Sequence, residues 1–179
     1  RLERVSRRFE LIGKPPLLQK IHIRDVIREL EAYFRPRLPK LGAGVELRIR
    51  VKRDLPVIEA NPVLLAWALE NILKNAVDAL AGKGGLILIS ATAVGHLLRL
   101  RISDDGPGIA PEVRGRIFEP GVTTKTAGWG VGLSLTQRIV EELHGARITV
   151  HERRRGGTTF EILVPSAGTK LKRRFLSIR

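Results

Sequence analysis

Three stretches of the chain carry side chains suited to chemistry. In "RISDDGPGIA" (101–110), Asp104 and Asp105 close an apolar run and stand directly before a Gly-Pro-Gly turn. An ionised carboxylate only accepts hydrogen bonds, so at the base of a pocket it selects a donor such as an exocyclic amine and repels a phosphate. Gly106 and Gly108 let backbone and ligand approach closely. In "ENILKNAVDAL", Asn71, Asn75 and Asp78 fall at i, i+4 and i+7 and share one face of a helix that is otherwise apolar. In "TTKTAGWGVGLSL", Gly128, Gly130 and Gly132 alternate into a helical pattern, with Thr123, Thr124 and Lys125 just upstream. Backbone N–H groups at such a glycine-rich helix start suit phosphates. No Gly-Lys-Ser/Thr follows these glycines, and no strand leads into them, so neither a Walker loop nor a dinucleotide fingerprint is present. Taken together, the three divide one ligand between them. The acidic turn takes a base, the glycines take phosphates, and the amide stripe lies between, where a Mg²⁺ ion bridging phosphate oxygens would accept an amide oxygen.

Elements to position these residues are visible in the pattern. The dipeptide Asn61-Pro62 and the glycine at Gly82 predict a long helix carrying the amide stripe. Apolar positions at helical spacing predict helices over 1–12, 23–34 and 131–143, the last stopped by Gly145. Strands are predicted over 44–52, 85–93 and 96–104, with a closing hairpin of 146–153 and 158–165 around Gly156 and Gly157. Residues 105–130 form the longest irregular stretch, the kind of loop that carries function.

Composition narrows the class. The 179 residues are 43% hydrophobic, enough for one core, and include no cysteine, which excludes disulfides and thiolate sites. No methionine occurs, and we expect an excised or processed fragment. No apolar stretch approaches the 18 residues of a membrane span. The formal net charge is +14, but the basic residues are scattered and aromatics are few, so we expect a solvated basic surface and no nucleic-acid partner.

With these residues in place, the chain closely resembles the catalytic ATP-binding domain of bacterial sensor histidine kinases. That domain has the Bergerat fold, shared with type II topoisomerases, heat-shock chaperone ATPases and mismatch-repair ATPases. "ENILKNAVDA" resembles the N box, "DDGPGI" the first glycine box, "IFEPGVTTK" the F box and "GWGVGLSL" the second glycine box. The resemblance covers about residues 22–165 and implies an α/β two-layer sandwich of a mixed β-sheet and helices. It divides the chain into the end of a dimerisation helix with its linker (1–20), the ATP-binding domain (21–166) and a basic tail (167–179).

The resemblance also implies roles. Asn75 would contact Mg²⁺, with Asn71 near the phosphates; Asp104 would accept from the adenine amine, with Gly106, Gly108 and Ile109 beside the base; Thr158 would help hold adenine. Phe118 and Pro120 would anchor a lid, Lys125 and the backbone of Gly128, Gly130, Val131, Gly132 and Leu133 would reach the phosphates, and Thr123 and Thr124 would belong to the cofactor-binding set. Departures from the family pattern are Asp78 where many members have a basic residue, Asp105 for a commoner Asn or Thr, and the bulky Trp129 in the lid glycine run. ATPases of the superfamily place a Glu one turn before the Mg²⁺-binding Asn. Here that position is Asn71, an amide that cannot act as general base, and Glu70 is rotated about 100° away on the helix. Transfer to a side-chain nucleophile is therefore expected over hydrolysis. None of His22, His96, His144 and His151 precedes an acid within a suitable helix, so the acceptor His is expected upstream, on a dimerisation domain. The implied setting is the cytoplasmic catalytic part of a homodimeric sensor that signals to a response-regulator receiver domain. A non-catalytic nucleotide- or partner-binding module, or a protein serine kinase, would use the same fold.

Overall fold

The structure is a computed structural model describing residues 16–41, 44–123, 130–154 and 156–169. The helix expected over 1–12, most of the basic tail, and Thr124, Lys125, Gly128 and Trp129 lie outside the described residues.

The long helix forms where its signals place it. Asn61 caps it through an Oδ1 that accepts from Leu64 N–H at 3.1 Å, and Pro62 opens it. This helix, Pro62–Leu80, buries Leu64, Leu65, Ala68, Leu69, Ile72, Leu73, Ala76, Val77 and Leu80. It is α3 in chain order, after α1 (Ile23–Phe34) and the short α2 (Leu38–Leu41). In α1, Ile23, Val26, Ile27, Leu30 and Phe34 are buried at helical spacing and face the same core.

Under the helices lies a five-stranded sheet. Its strands are β2 (Val45–Val51), β4 (Gly85–Val94), β5 (Leu97–Asp104), β6 (Arg147–Glu152) and β7 (Thr158–Pro165), in spatial order β2-β4-β5-β7-β6. The sheet is mixed, as expected for the class. β2 pairs with β4 in parallel and the other pairings are antiparallel. Alternate residues turn inward, including Ile87, Ile89 and Ala91 of β4 and Leu98, Leu100 and Ile102 of β5. Arg99 and Arg101 stand on the other face, where Arg101 Nε donates to Glu161 at 2.5 Å.

Two features depart from the sequence pattern. Gln19–Ile21 (β1) and Ile58–Ala60 (β3) form a separate antiparallel pair. The predicted helix over 131–143 divides into α5 (Gly132–Gln137) and a π-helical continuation, Arg138–Leu143. At its end His144, 8% exposed, bridges two elements: Asn61 N–H donates to Nε2 at 3.0 Å, and Nδ1 lies 2.7 Å from the Ile139 carbonyl. An acceptor at Nε2 fixes the proton on Nδ1. The ring is thus a fastener between the start of α3 and the end of the π segment. Burial holds it below the ordinary imidazole range, against the two backbone hydrogen bonds that raise it.

Candidate functional site

A cavity of about 880 Å³ opens between α3, the acidic turn, the segment after α4 (Pro111–Arg114) and the start of α5. The structure brings Asn71, Asn75, Asp104, Gly108, Ile109, Thr123, Gly130, Val131, Gly132, Leu133 and Thr158 onto its wall. Gly106 and Phe118 do not line it. Gly106 acts one layer behind, donating its N–H to Asp104, and Phe118 packs edge-on against Phe160 at 6.4 Å.

Asp104 is 4% exposed at the end of β5. Its Oδ1 accepts from Gly106 N–H at 2.9 Å and from Thr158 N–H at 3.3 Å. With Oδ1 so engaged, Oδ2 is the acceptor left for a ligand. Burial raises this carboxyl above the ordinary Asp value. The two N–H bonds and Arg153 oppose that rise, and Asp105 adds to it. Thr158 serves Asp104 through its main chain.

Asp105, the second acid, has a different task. Its Oδ1 accepts from Leu86 N–H at 2.7 Å, which fastens the turn to the start of β4. One carboxylate therefore faces the cavity and its neighbour holds the turn in place.

At the other end of the cavity, Asn71 Nδ2 donates to the Gly132 carbonyl at 3.3 Å and to Thr136 Oγ1 at 3.4 Å, tying α3 to α5. Thr136 is fully buried and itself donates to the Gly132 carbonyl at 2.8 Å. Gly121 N–H donates to the Gly130 carbonyl at 3.0 Å, which holds these two glycines together. Gly130 has a φ of +64°, and a Cβ there would strike the Gly121 backbone.

Lys74 also lines the cavity and is exposed. It belongs to the same helical stripe, at i+3 from Asn71, and that spacing was the signal that could have found it. Asp78 lines the cavity as well, whereas Glu70 is not on its wall. The position one turn before Asn75 thus presents an amide and no carboxylate. Among the described residues no cluster of three or more His, Cys, Asp or Glu could hold a metal alone. An amide oxygen from Asn75 suits an ion that takes its remaining ligands from phosphates and water.

A mixed sheet under helices, with an acid at a strand end and an amide-bearing helix packed against a glycine-started one at the wall of the same cavity, defines a Bergerat-type ATP-binding domain. Residues 60–168 match the family model for histidine kinase-, DNA gyrase B- and HSP90-like ATPases, and the chain belongs to that family. It is 36% identical over 121 residues to the sensor histidine kinase ZraS of Escherichia coli (strain K12), covering 68% of this chain and 26% of ZraS. The catalytic domain of histidine kinase ThkA, in a nucleotide-free form, superposes with a TM-score of 0.74 at 28% identity, covering 83% of this chain and 95% of that one. Full-length ShkA in complex with AMPPNP superposes with a TM-score of 0.75 at 29% identity, covering 95% of this chain and 36% of that one. The chain thus spans about a quarter of ZraS and about a third of ShkA.

Proposed function

We propose that this domain binds Mg-ATP and donates the γ-phosphoryl group to a histidine on the dimerisation domain of a homodimeric sensor kinase, from which a response-regulator receiver domain would take it. The observation that carries the reading is Asp104, a buried acid with one oxygen left for a donor, on the wall of the same 880 Å³ cavity as the amide-bearing face of α3. An exocyclic amine meets Oδ2, and Ile109 lies beside the base. The triphosphate runs toward Asn71, Lys74 and the backbone of Gly130 to Leu133, with Thr124, Lys125 and Gly128 as further contacts. This arrangement separates the phosphates from the carboxylate that would repel them. The AMPPNP complex of ShkA supports the same ligand class here.

Asn75 would present its side-chain oxygen to Mg²⁺, which when bound neutralises phosphate charge. Transfer breaks the bond between the γ-phosphorus and the bridging oxygen and forms a P–N bond to an imidazole nitrogen, with ADP leaving. The chain's own part is positioning and electrostatics, the usual catalytic contribution in phosphoryl transfer. Asn71 in place of a carboxylate leaves water without a base, which favours the histidine as nucleophile. No helix among the described residues is long and apolar enough to cross a membrane; the cytoplasmic setting is part of the proposal and rests on the likeness to sensor kinases.

The test is transfer in trans. The chain is incubated with γ-labelled ATP, Mg²⁺ and the parent protein's dimerisation domain. Label that is stable in base and labile in acid marks phosphohistidine. Acid-stable label would point to serine transfer, and absence of label together with nucleotide binding would point to a binding module.

A further inference from the structure

The tip of the β6–β7 hairpin wraps the acidic turn. Arg153 Nη1 donates to the Asp104 carbonyl at 2.9 Å. Arg153 is itself held by its backbone, since its N–H donates to the Gly157 carbonyl at 3.1 Å and its carbonyl accepts from Gly156 N–H at 3.0 Å. Gly157, with φ +94°, permits the close approach, because a Cβ there would collide with the Asp104 carbonyl. One residue earlier, Glu152 pairs with Arg114 of α4, which joins the hairpin to the far side of the turn. The Asp104 main chain is therefore fixed from outside the cavity, by an exposed side chain that lines no part of it.

We propose that Arg153 is a positioning residue for nucleobase selection: by holding the Asp104 carbonyl to the hairpin tip, it aims the Asp104 carboxylate into the cavity and supplies a nearby positive charge. The inference rests on the ATP-binding reading above. It deepens that reading by assigning part of the preference for adenine over guanine to a residue that touches neither base. The charged groups that act on Asp104 are Arg153 from the hairpin and Asp105 from its own turn; Lys74 and Asp78 of α3 line the same cavity, and the Glu152–Arg114 pair sits beside the turn. Of these, Arg153 is the cation that opposes the effect of burial on the carboxyl. Removing it leaves Asp104 protonated to higher pH and frees the turn to shift.

The experiment is calorimetric titration of the 179-residue chain with Mg-ATP and with Mg-GTP across pH 5 to 8, for the wild type, Arg153→Met and Arg153→Lys. In Arg153→Met we expect ATP affinity to fall roughly fivefold to tenfold, less than for direct loss of a charged hydrogen bond. GTP affinity should change little, so the ATP-to-GTP ratio shrinks, and the acid limb of ATP binding should move to higher pH. Arg153→Lys keeps the cation and should restore the wild-type pH limb. Thermal unfolding without nucleotide checks that both variants fold. A wild type that binds ATP, beside an Arg153→Met variant with an unchanged ratio and pH limb, overturns the proposal and leaves the ATP reading standing. Equal losses for ATP and GTP would also overturn it. A wild type that binds no adenine nucleotide would instead overturn the reading on which it rests.

Discussion

Replacing Asp104 by Asn isolates the charge at the base of the cavity with almost no change in shape. In the protein, Oδ1 takes both main-chain N–H bonds. An asparagine that keeps those bonds must place its carbonyl oxygen there, so its amide nitrogen replaces Oδ2 and presents a donor to the adenine amine. The variant loses a hydrogen bond to a charged group, about 1.5–3 kcal/mol, which is roughly 10- to 150-fold in ATP affinity. Guanine carries a carbonyl where adenine carries the amine, and the new amide donor matches it, so GTP affinity should hold or rise. Without nucleotide the sign reverses. Burial raises the Asp104 carboxyl above its value in the unfolded chain, so its ionisation removes stability as pH rises through the window between the two values. Asn carries no such penalty, and the nucleotide-free variant should melt at or above the wild-type temperature at neutral pH. An amine donor favours the carboxylate, so wild-type ATP affinity should decline as pH falls through the raised value, and the variant should lack that slope. Calorimetry with ATP and GTP, paired with thermal unfolding, reads all of these. An Asp104→Asn chain that melts normally and binds ATP as tightly as wild type would refute the reasoning.

Other expectations concern the opposite end of the cavity and the fold. Asn75→Ala should abolish the Mg²⁺ dependence of ATP binding and leave adenosine binding intact, measured by titration with and without EDTA; equal loss of both ligands would indicate a folding defect. Lys74→Met should weaken ATP by about 1 kcal/mol, roughly fivefold, as expected for an exposed charge, with adenosine unchanged in the same titration. His144 is neutral in the fold, so the stability it contributes is present above the unfolded imidazole value of about 6.5 and falls as pH drops through that value toward the lowered folded one. The stability of His144→Phe should start lower by about 1–3 kcal/mol, for the Asn61 N–H left without its partner, and its melting temperature should decline less between pH 7 and 5.

Local chemistry made much of this fold legible. Asn61, Pro62 and Gly82 bound α3 because capping groups and a φ of +77° are local requirements. Strands expected over 85–93 and 96–104 form as Gly85–Val94 and Leu97–Asp104, since alternation survives one-sided burial. What stayed hidden is nonlocal. β1 and β3 have three residues each, too few to show a period. The parallel pairing of β2 with β4 depends on the crossover through α3. The π segment has no pattern distinct from an α-helix. At the site, the two acids of "DD" look equivalent in sequence, and only the structure separates a cavity-facing carboxylate from one that bonds Leu86 N–H. Arg153 sits 49 residues from Asp104, and its contact depends on how the hairpin folds back.

The central claim is that a purine amine meets Asp104 while the phosphates lie against α3 and the start of α5. A crystal structure of the chain with Mg²⁺ and AMPPNP tests it most directly. The account predicts the exocyclic nitrogen within about 2.7–3.2 Å of Asp104 Oδ2 and the metal on the Asn75 amide oxygen. A base seated elsewhere, or phosphates turned toward Asp104, would contradict it.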